Sequence, residues 1–297
     1  MTTLESLADQ IETTEDVRSI VRTMKSLSVV SIRQYEREAR LLREYRETVE
    51  RGLQAALSGA LDRPLSTAAD GPSTGRRALL VFGSDRGLCG RFNDIVADRA
   101  VTLLAASSTT DDPSAPLVLA VGARAAARLQ TLGYPPSATL NVPGAAAGIA
   151  RLAQTILITL DNWRERHDVE RIEVFYNIRA EQTRTVAEHR VLAPLPPEML
   201  ADIAKRPWPS PRLPMVEGAR PKVLSALLRQ HLFATLCATA AESLASENAA
   251  RLSAMLAAER GIDDRLDALG NAFRSTRQDE ITNELIDLVT GFEAARG

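Results

Sequence analysis

Both ends of this chain carry long runs of apolar residues at helical spacing, and all fifteen prolines lie between Pro64 and Pro221. From Leu4 the run passes through Leu7, Ile11, Val17, Ile20, Met24, Leu27, Tyr35, Leu42, Tyr45, Val49, Leu53 and Ala56, mostly three and four residues apart. That spacing keeps one stripe on one helical face. After Pro221 it returns with Leu224, Leu228, Leu232, Leu244, Leu252, Met255, Ile262, Leu266, Leu269, Phe273, Leu285, Leu288 and Phe292. At 1.5 Å per residue the two stretches span roughly 80 and 110 Å. Helices this long mean a coiled coil, a membrane span or a helical repeat. Charges throughout argue against a direct transmembrane segment and no repeat is visible, so a two-stranded coiled coil remains. Because both helices border one central region, the economical arrangement is antiparallel, each stripe burying the other.

The centre changes period. Ala78–Phe82 and Leu117–Val121 are continuous apolar runs, each leading into a glycine and then a helical pattern, as buried parallel strands do. A weaker run covers Ala138–Val142, a helix is expected from about Ala145 to Arg166, and further strands at Ile172–Tyr176 and Thr183–Leu192. The predicted fold class is therefore α/β: a long antiparallel coiled coil of the N- and C-terminal helices (residues 1–60 and 216–297) plus a central Rossmann-like α/β domain (76–215) with a mainly parallel sheet. Proline and small polar residues mark linkers between Ser58 and Gly75 and between Pro194 and Pro221. The second linker holds eight prolines and is expected to be irregular.

Composition and chemistry exclude more than they assign. A formal net charge of −2 gives no case for nucleic acid. Cys89 and Cys237 are too few for a disulfide framework, and the N-terminus does not read as a signal peptide. The turn Gly83-Ser84-Asp85-Arg86-Gly87-Leu88-Cys89-Gly90-Arg91-Phe92-Asn93 invites a phosphate-loop reading, but it has no Gly-Lys-Ser/Thr and lacks the dinucleotide glycine spacing. A protein-contact loop is the favoured reading, ahead of tight-turn geometry alone and of nucleotide binding. His167, His189 and His231 stand at no metal-ligand spacing, and no base neighbours Ser84, Asp85 or Cys89 in sequence. Asp263-Asp264 and Asp279-Glu280 read as solvated helix faces. No cofactor, metal or catalytic residue is predicted.

Ser84-Asp85-Arg86-Gly87-Leu88-Cys89-Gly90 followed by Asn93 resembles the loop after the first strand in the gamma subunits of rotary F-type ATP synthases. Ile11–Met24, continuing through Leu27 and Arg33, resembles that family's first helix. Glu242–Glu247, Ala249-Ala250-Arg251 and Met255 resemble its last helix. Arg277-Gln278, Ile281-Thr282, Glu284, Asp287 and Gly291 resemble its C-terminal signature, apart from Phe292 where the family prefers alanine. The chain departs at Val17-Arg18 and Val21-Arg22, where the family usually carries Thr-Gln and Thr-Lys, and at Ser31. It departs again at Ala258–Ile262, where a polar, loop-like stretch is usual. These departures suggest a divergent branch, an alternate ATPase encoded beside a standard one.

The resemblance implies a non-catalytic central-stalk rotor that couples ion flow, of protons or sodium, to ATP synthesis or hydrolysis at beta subunits. The implied partners are the alpha and beta subunits, epsilon and the c-subunit ring, and the implied location is the cytoplasmic face of a bacterial inner membrane. It also implies contacts: Met24 and Lys25 at the rotor–beta boundary, and Arg86, Gly87, Cys89 and Gly90 near the lower edge of the stator ring. Arg277, Gln278, Thr282 and Glu284 would face the first-helix segment or the surrounding beta subunits. The small residues from Ala234 to Ala258 suit an outer face without fixed anchors, or serve as helix-favouring filler. The alternative is a nucleotide-responsive α/β module that signals through its coiled coil.

Overall fold

The structure is a computed structural model that describes residues 3–57, 75–107, 115–180, 184–212 and 214–294. Its elements run α1 (Leu4–Leu57), β1 (Arg76–Phe82), α2 (Phe92–Ser107), β2 (Leu117–Val121), α3 (Ala123–Thr131), β3 (Ala138–Leu140), a 3-10 turn (Ala146–Gly148), α4 (Ile149–His167), β4 (Val169–Ala180), β5 (Arg184–Ala193), α5 (Pro197–Lys205) and α6 (Arg220–Ala294). The chain divides into two compact units, one of residues 29–250 and one of residues 1–28 with 251–297.

In the first unit five strands lie in the order β3-β2-β1-β4-β5. β1 pairs in parallel with β2 and β4, β2 in parallel with β3, and only β4 and β5 run antiparallel. From Ala78 β1, and all of β2, read as unbroken apolar runs because both their faces are covered. Alternate residues of β1 point to opposite sides. Leu79 and Val81 pack with Val96, Ala97, Ala100 and Leu104 of α2 and Leu129 of α3. Ala78, Leu80 and Phe82 pack with α4 through Ala153, Ile156 and Leu160, with α1 through Tyr35 and Ala39, and with α6 through Leu236, Cys237 and Ala240. The expected mainly parallel α/β sheet is therefore present.

Two expectations need correction. The Pro194–Pro221 stretch is not irregular throughout, since it contains α5. Pro196 caps that helix and Pro197 begins it, where a fixed φ fits and a missing N–H costs nothing. Pro221 likewise sits in the first turn of α6. The small residues after Ala234 do not form a smooth outer face: residues 234–241 are buried without interruption, more than two turns. Side chains that point in every direction are enclosed, so they are small because the helix is packed on all sides. Helix α6 is also long and apolar enough to pass for a membrane span, with a mean hydropathy of 1.2 over one 18-residue stretch. A core helix has that composition too, and Leu236, Cys237, Ala241 and Leu244 are core residues here. Burial pushes the Cys237 thiol up to about 12. The predicted linker after Ser58 lies outside the described residues, as does Thr183 at the start of the last predicted strand.

Within this unit α1 and α6 are joined by polar contacts as well. Glu50 of α1, largely buried, accepts from Arg206 at 2.6 Å and lies 3.9 Å from His231 of α6. Gln230 of α6 bonds the Tyr45 hydroxyl of α1. On β4 the buried Glu173 accepts from Arg77 at 2.5 Å and Arg171 at 3.1 Å, and its carboxylate lies 3.1 Å from His189 Nε2. Burial pushes the Glu173 carboxyl up, but the bonds and charges of Arg77 and Arg171 outweigh it, so its pKa lies below the ordinary value.

Two measurements follow from this packing. Ala241→Leu adds three carbons at a fully enclosed position and should lower the unfolding free energy by about 1–3 kcal/mol, read by urea titration. Because the Glu173 pKa is lowered on folding, its contribution is present above the unfolded carboxyl pKa of about 4.3 and is lost as pH falls through the native value. Glu173→Gln should therefore flatten the acid side of the stability profile. Equal acid slopes in the two proteins would contradict that assignment.

Candidate functional site

The loop after β1 is built from its own polar side chains. Gly83 N–H donates to Val121 O at 2.8 Å, and a Cβ on Gly83 would come within 2.2 Å of the Ala125 Cβ. Glycine is required there so that α3 can lie against the backbone. Asn93 Oδ1 accepts from Ser84 N–H at 2.9 Å while Asn93 Nδ2 donates to Ser84 Oγ at 2.8 Å. Ser84 Oγ in turn donates to Arg86 O at 2.9 Å and lies 3.5 Å from Cys89 Sγ. Ser84 and Cys89 are buried, so the two nucleophile-bearing side chains of the motif are spent inside the loop.

Asp85 ties this loop to its neighbours. Its Oδ1 accepts from Ala123 N–H at the start of α3 at 2.9 Å, and its Oδ2 accepts from Val142 N–H beyond β3 at 2.7 Å. Arg124 N–H donates to Ser84 O at 2.9 Å. The Asp85 carboxylate and the Ser84 carbonyl thus take up the first two amides of α3, which an anion would otherwise use. Gly122, at φ 107, lies so close that a Cβ would fall 2.7 Å from Ser84 N. With the interior full, Arg86, Leu88 and Gly90 remain exposed and Gly87 half-exposed. Leu88 stands at φ 63 with 61% of its surface open, an apolar side chain held outward on a strained backbone. Of the predicted contact residues here, Cys89 has its side chain turned inward.

The second group lies in the unit of residues 1–28 and 251–297. There α1 and α6 run antiparallel: Arg18 meets Asp263 at 2.7 Å, and Arg22 and Lys25 meet Glu259 at 3.2 and 2.5 Å. Hydrogen bonds from Lys25 and Arg22 hold the Glu259 carboxyl below its ordinary pKa. Met24 is half-buried and Lys25 is engaged by its own chain. The residues of α1 turned inward include Leu4, Leu7, Ile11, Thr14, Arg18, Val21, Lys25 and Ser28, alternately three and four apart, with Ser6, Gln10 and Met24 half-buried beside them. Val17, Ile20 and Leu27, read from sequence as stripe, are 44%, 59% and 62% exposed instead. The true seam runs one residue later and is half polar. Ala258–Ile262 is continuous helix, not loop.

Arg277, Gln278, Thr282 and Glu284 do not lie beside Met24. Arg18 faces Asp263 and Arg22 faces Glu259, so four steps along one helix match four steps back along the other. At that register Arg277 lies opposite Leu4, and the rest of the segment passes the first turn of α1. From Glu259 to Arg277 is roughly 27 Å along the axis. Arg277, Gln278 and Glu284 are exposed, and the Thr282 hydroxyl donates to Gln278 O of its own helix. Around them Ile281, Leu285, Leu288 and Phe292 are 49%, 57%, 70% and 60% exposed, an open apolar stripe at three-four spacing.

Sequence reasoning missed Asp85 as the clamp and Glu259 and Asp263 as partners of α1. Asp263 pairs with Arg18, so it is not merely a solvated charge. A signal existed: Arg18 and Arg22 stand four apart, as do Glu259 and Asp263, which matches two helices offering complementary charges. Among the described residues no group of His, Cys, Asp and Glu is arranged to hold a metal.

The ATP synthase family profile matches residues 3–295 of the chain. An ATP synthase gamma chain of Nitrosomonas eutropha is 25% identical, covering 99% of this chain and all of the relative. One of a Parafrankia species is 28% identical over 96% of this chain and 95% of the relative. Among solved structures, a chain of the Euglena gracilis mitochondrial ATP synthase, in an OSCP/F1/c-ring structure, superposes with a TM-score of 0.64 at 15% identity, covering 98% of this chain and 94% of that one. A chain from the central stalk and c-ring of the Tetrahymena thermophila enzyme superposes at 0.55 with 18% identity, covering 80% and 99%. At these identities the structures show the shared fold.

Asp85→Ala leaves the Ala123 and Val142 amides without their acceptor and should cost about 1–3 kcal/mol of stability. Gly122→Ala, which combines a left-handed φ with a backbone clash, should cost a similar amount. Both are read by denaturant unfolding. Wild-type stability in either variant would contradict the loop geometry described.

Proposed function

The chain belongs to the ATP synthase family, and we propose that it acts there as the gamma-type central-stalk rotor, transmitting torque between an ion-conducting c-ring and the catalytic nucleotide sites of the beta subunits. It is a non-catalytic subunit: the catalytic sites lie on beta. The observation that carries the reading is the pairing of a full-length family match with two partner surfaces that have no chemistry of their own. The alternative of a nucleotide-responsive module loses support because Asp85 fills the anion position at α3.

In this reading residues 1–60 and 216–297 form the shaft and residues 76–215 the α/β domain beside the c-ring. The exposed stripe Ile281–Phe292, with Arg277, Gln278, Thr282 and Glu284 around it, seats in the ring of alpha and beta subunits. Arg86, Gly87, Leu88 and Gly90 meet the lower edge of that ring, while Cys89 acts from inside by shaping the loop. Epsilon completes the stalk. The complex is peripheral to the membrane through its F1 head, and the cytoplasmic face of a bacterial inner membrane is the location we assign. A shaft that presents different side chains to each beta subunit favours a different state in each through differential contacts, which is how rotation couples to affinity.

Met24 is the position to test. Lys25 and Arg22 already share Glu259, so a further ammonium at Met24 would compete with two cations for that carboxylate and would seek another on the surrounding beta subunits. Such a pair is worth about 0.2–1 kcal/mol when exposed and forms in some rotary positions only. Met24→Lys should leave assembly with alpha, beta and epsilon intact but lower the number of ions transported per ATP hydrolysed in reconstituted vesicles. An unchanged ratio in a properly assembled variant would show that Met24 does not carry coupling. Substantial ATP hydrolysis by the purified chain alone would contradict the rotor reading itself.

A further inference from the structure

The coiled coil of residues 4–28 and 251–292 is held by different forces along its length. At its outer end Leu4, Leu7 and Ile11 line the seam of α1, and Leu266 and Leu269 line that of α6. Between Thr14 and Ser28 the inward residues of α1 are Thr14, Arg18, Val21, Met24, Lys25 and Ser28, four of the six polar, and α6 turns Met255, Ala258, Glu259, Ile262 and Asp263 inward over the same stretch. The apolar residues of the same turns, Val17, Ile20 and Leu27, point to solvent. On the α1 side of this stretch apolar burial, which normally drives such a pair together, rests on Val21 and the half-buried Met24, and polar side chains fill the rest of the seam. The polar cross-helix contacts of this stretch are ionic: Arg18 to Asp263, and Arg22 and Lys25 to the single carboxylate of Glu259. The Glu259 side chain is 16% exposed, the most enclosed of the charged groups in this cluster, and it accepts from two residues of the opposite helix.

We propose that Glu259 is a positioning residue, an electrostatic clasp that keeps the coil closed at the level of Met24 and so keeps the Val17–Ile20–Leu27 stripe turned outward. Asp263 is its lesser companion. Only the identity of what the outward stripe meets rests on the rotor reading; the clasp itself does not. An apolar seam would be indifferent to salt and to the loss of one carboxylate, whereas an ionic one is weakened by both, because screening and neutralisation remove the same attraction.

The test reads seam opening in the full-length chain. Cys89 and Cys237 are buried, so a single added thiol dominates modification by a water-soluble maleimide. Val21→Cys, at a position 7% exposed, should label slowly in low salt. Adding Glu259→Gln should speed labelling about fivefold, and raising salt to about 1 M on the Val21→Cys background should do the same without any change at Glu259. Exchanging the charges, with Glu259→Lys, Lys25→Glu and Arg22→Glu together, should restore slow labelling. Leu7→Cys, in the apolar part of the seam, should not respond to salt. Labelling of Val21→Cys that ignores both Glu259→Gln and salt would overturn the clasp. Failure of the exchanged charges to restore protection would also overturn it, by showing that Glu259 acts through packing. The rotor reading is tested separately by co-assembly of the same variants with alpha and beta subunits. Loss of that reading would leave the labelling result standing.

Discussion

The enclosure of residues 234–241 of α6 governs the larger unit. A helix buried on every side must carry small side chains or leave its neighbours unable to close around it, and Ala234, Ala238, Ala240 and Ala241 meet that demand. Leu236, Cys237 and Leu244 share one core with β1, β4, α4 and α1, so the last helix of the chain is bound to the first through the sheet between them in sequence. The buried Glu50 network and the Tyr45–Gln230 bond reinforce that union from the polar side. A shaft whose two helices share a core with the sheet can pass torque to it without sliding.

At the end of the central strand the same economy shapes the loop after β1. The side chains of Ser84, Asp85, Cys89 and Asn93 are all used within the protein. Asp85 takes the α3 amide, Ser84 and Asn93 exchange hydrogen bonds, and Cys89 closes the knot. What the loop offers outside is a guanidinium, an isobutyl group and bare backbone, which suits contact with a protein surface. The smaller unit differs, since between Thr14 and Ser28 its seam takes in charged side chains while Val17, Ile20 and Leu27 face outward.

Much of this was visible in the sequence because period and punctuation are local. The apolar runs at Ala78–Phe82 and Leu117–Val121 declare buried strands without knowledge of their neighbours, and the absence of proline declares the two long helices. The seam of α1 between Thr14 and Ser28 was not visible. Hydrophobicity alone selects Val17, Ile20 and Leu27, and only the charges on a helix more than two hundred residues away show why the polar side turns inward. The α5 helix was hidden by its prolines, which were read as breakers when they start the helix. The Asp85 clamp depends on two backbone amides from distant elements, which no side-chain pattern announces. The placement of Arg277–Glu284 beyond Leu4 likewise depends on a register set by ion pairs.

Rotation is the claim on which the account turns, and it can be watched directly. With the alpha and beta subunits immobilised and a bead attached to a cysteine placed at the exposed Ile158 of α4, added ATP should drive the bead in one direction through discrete angular steps. A complex that hydrolyses ATP at full rate while the bead on a properly assembled chain stays fixed, or only fluctuates about one angle, would contradict it.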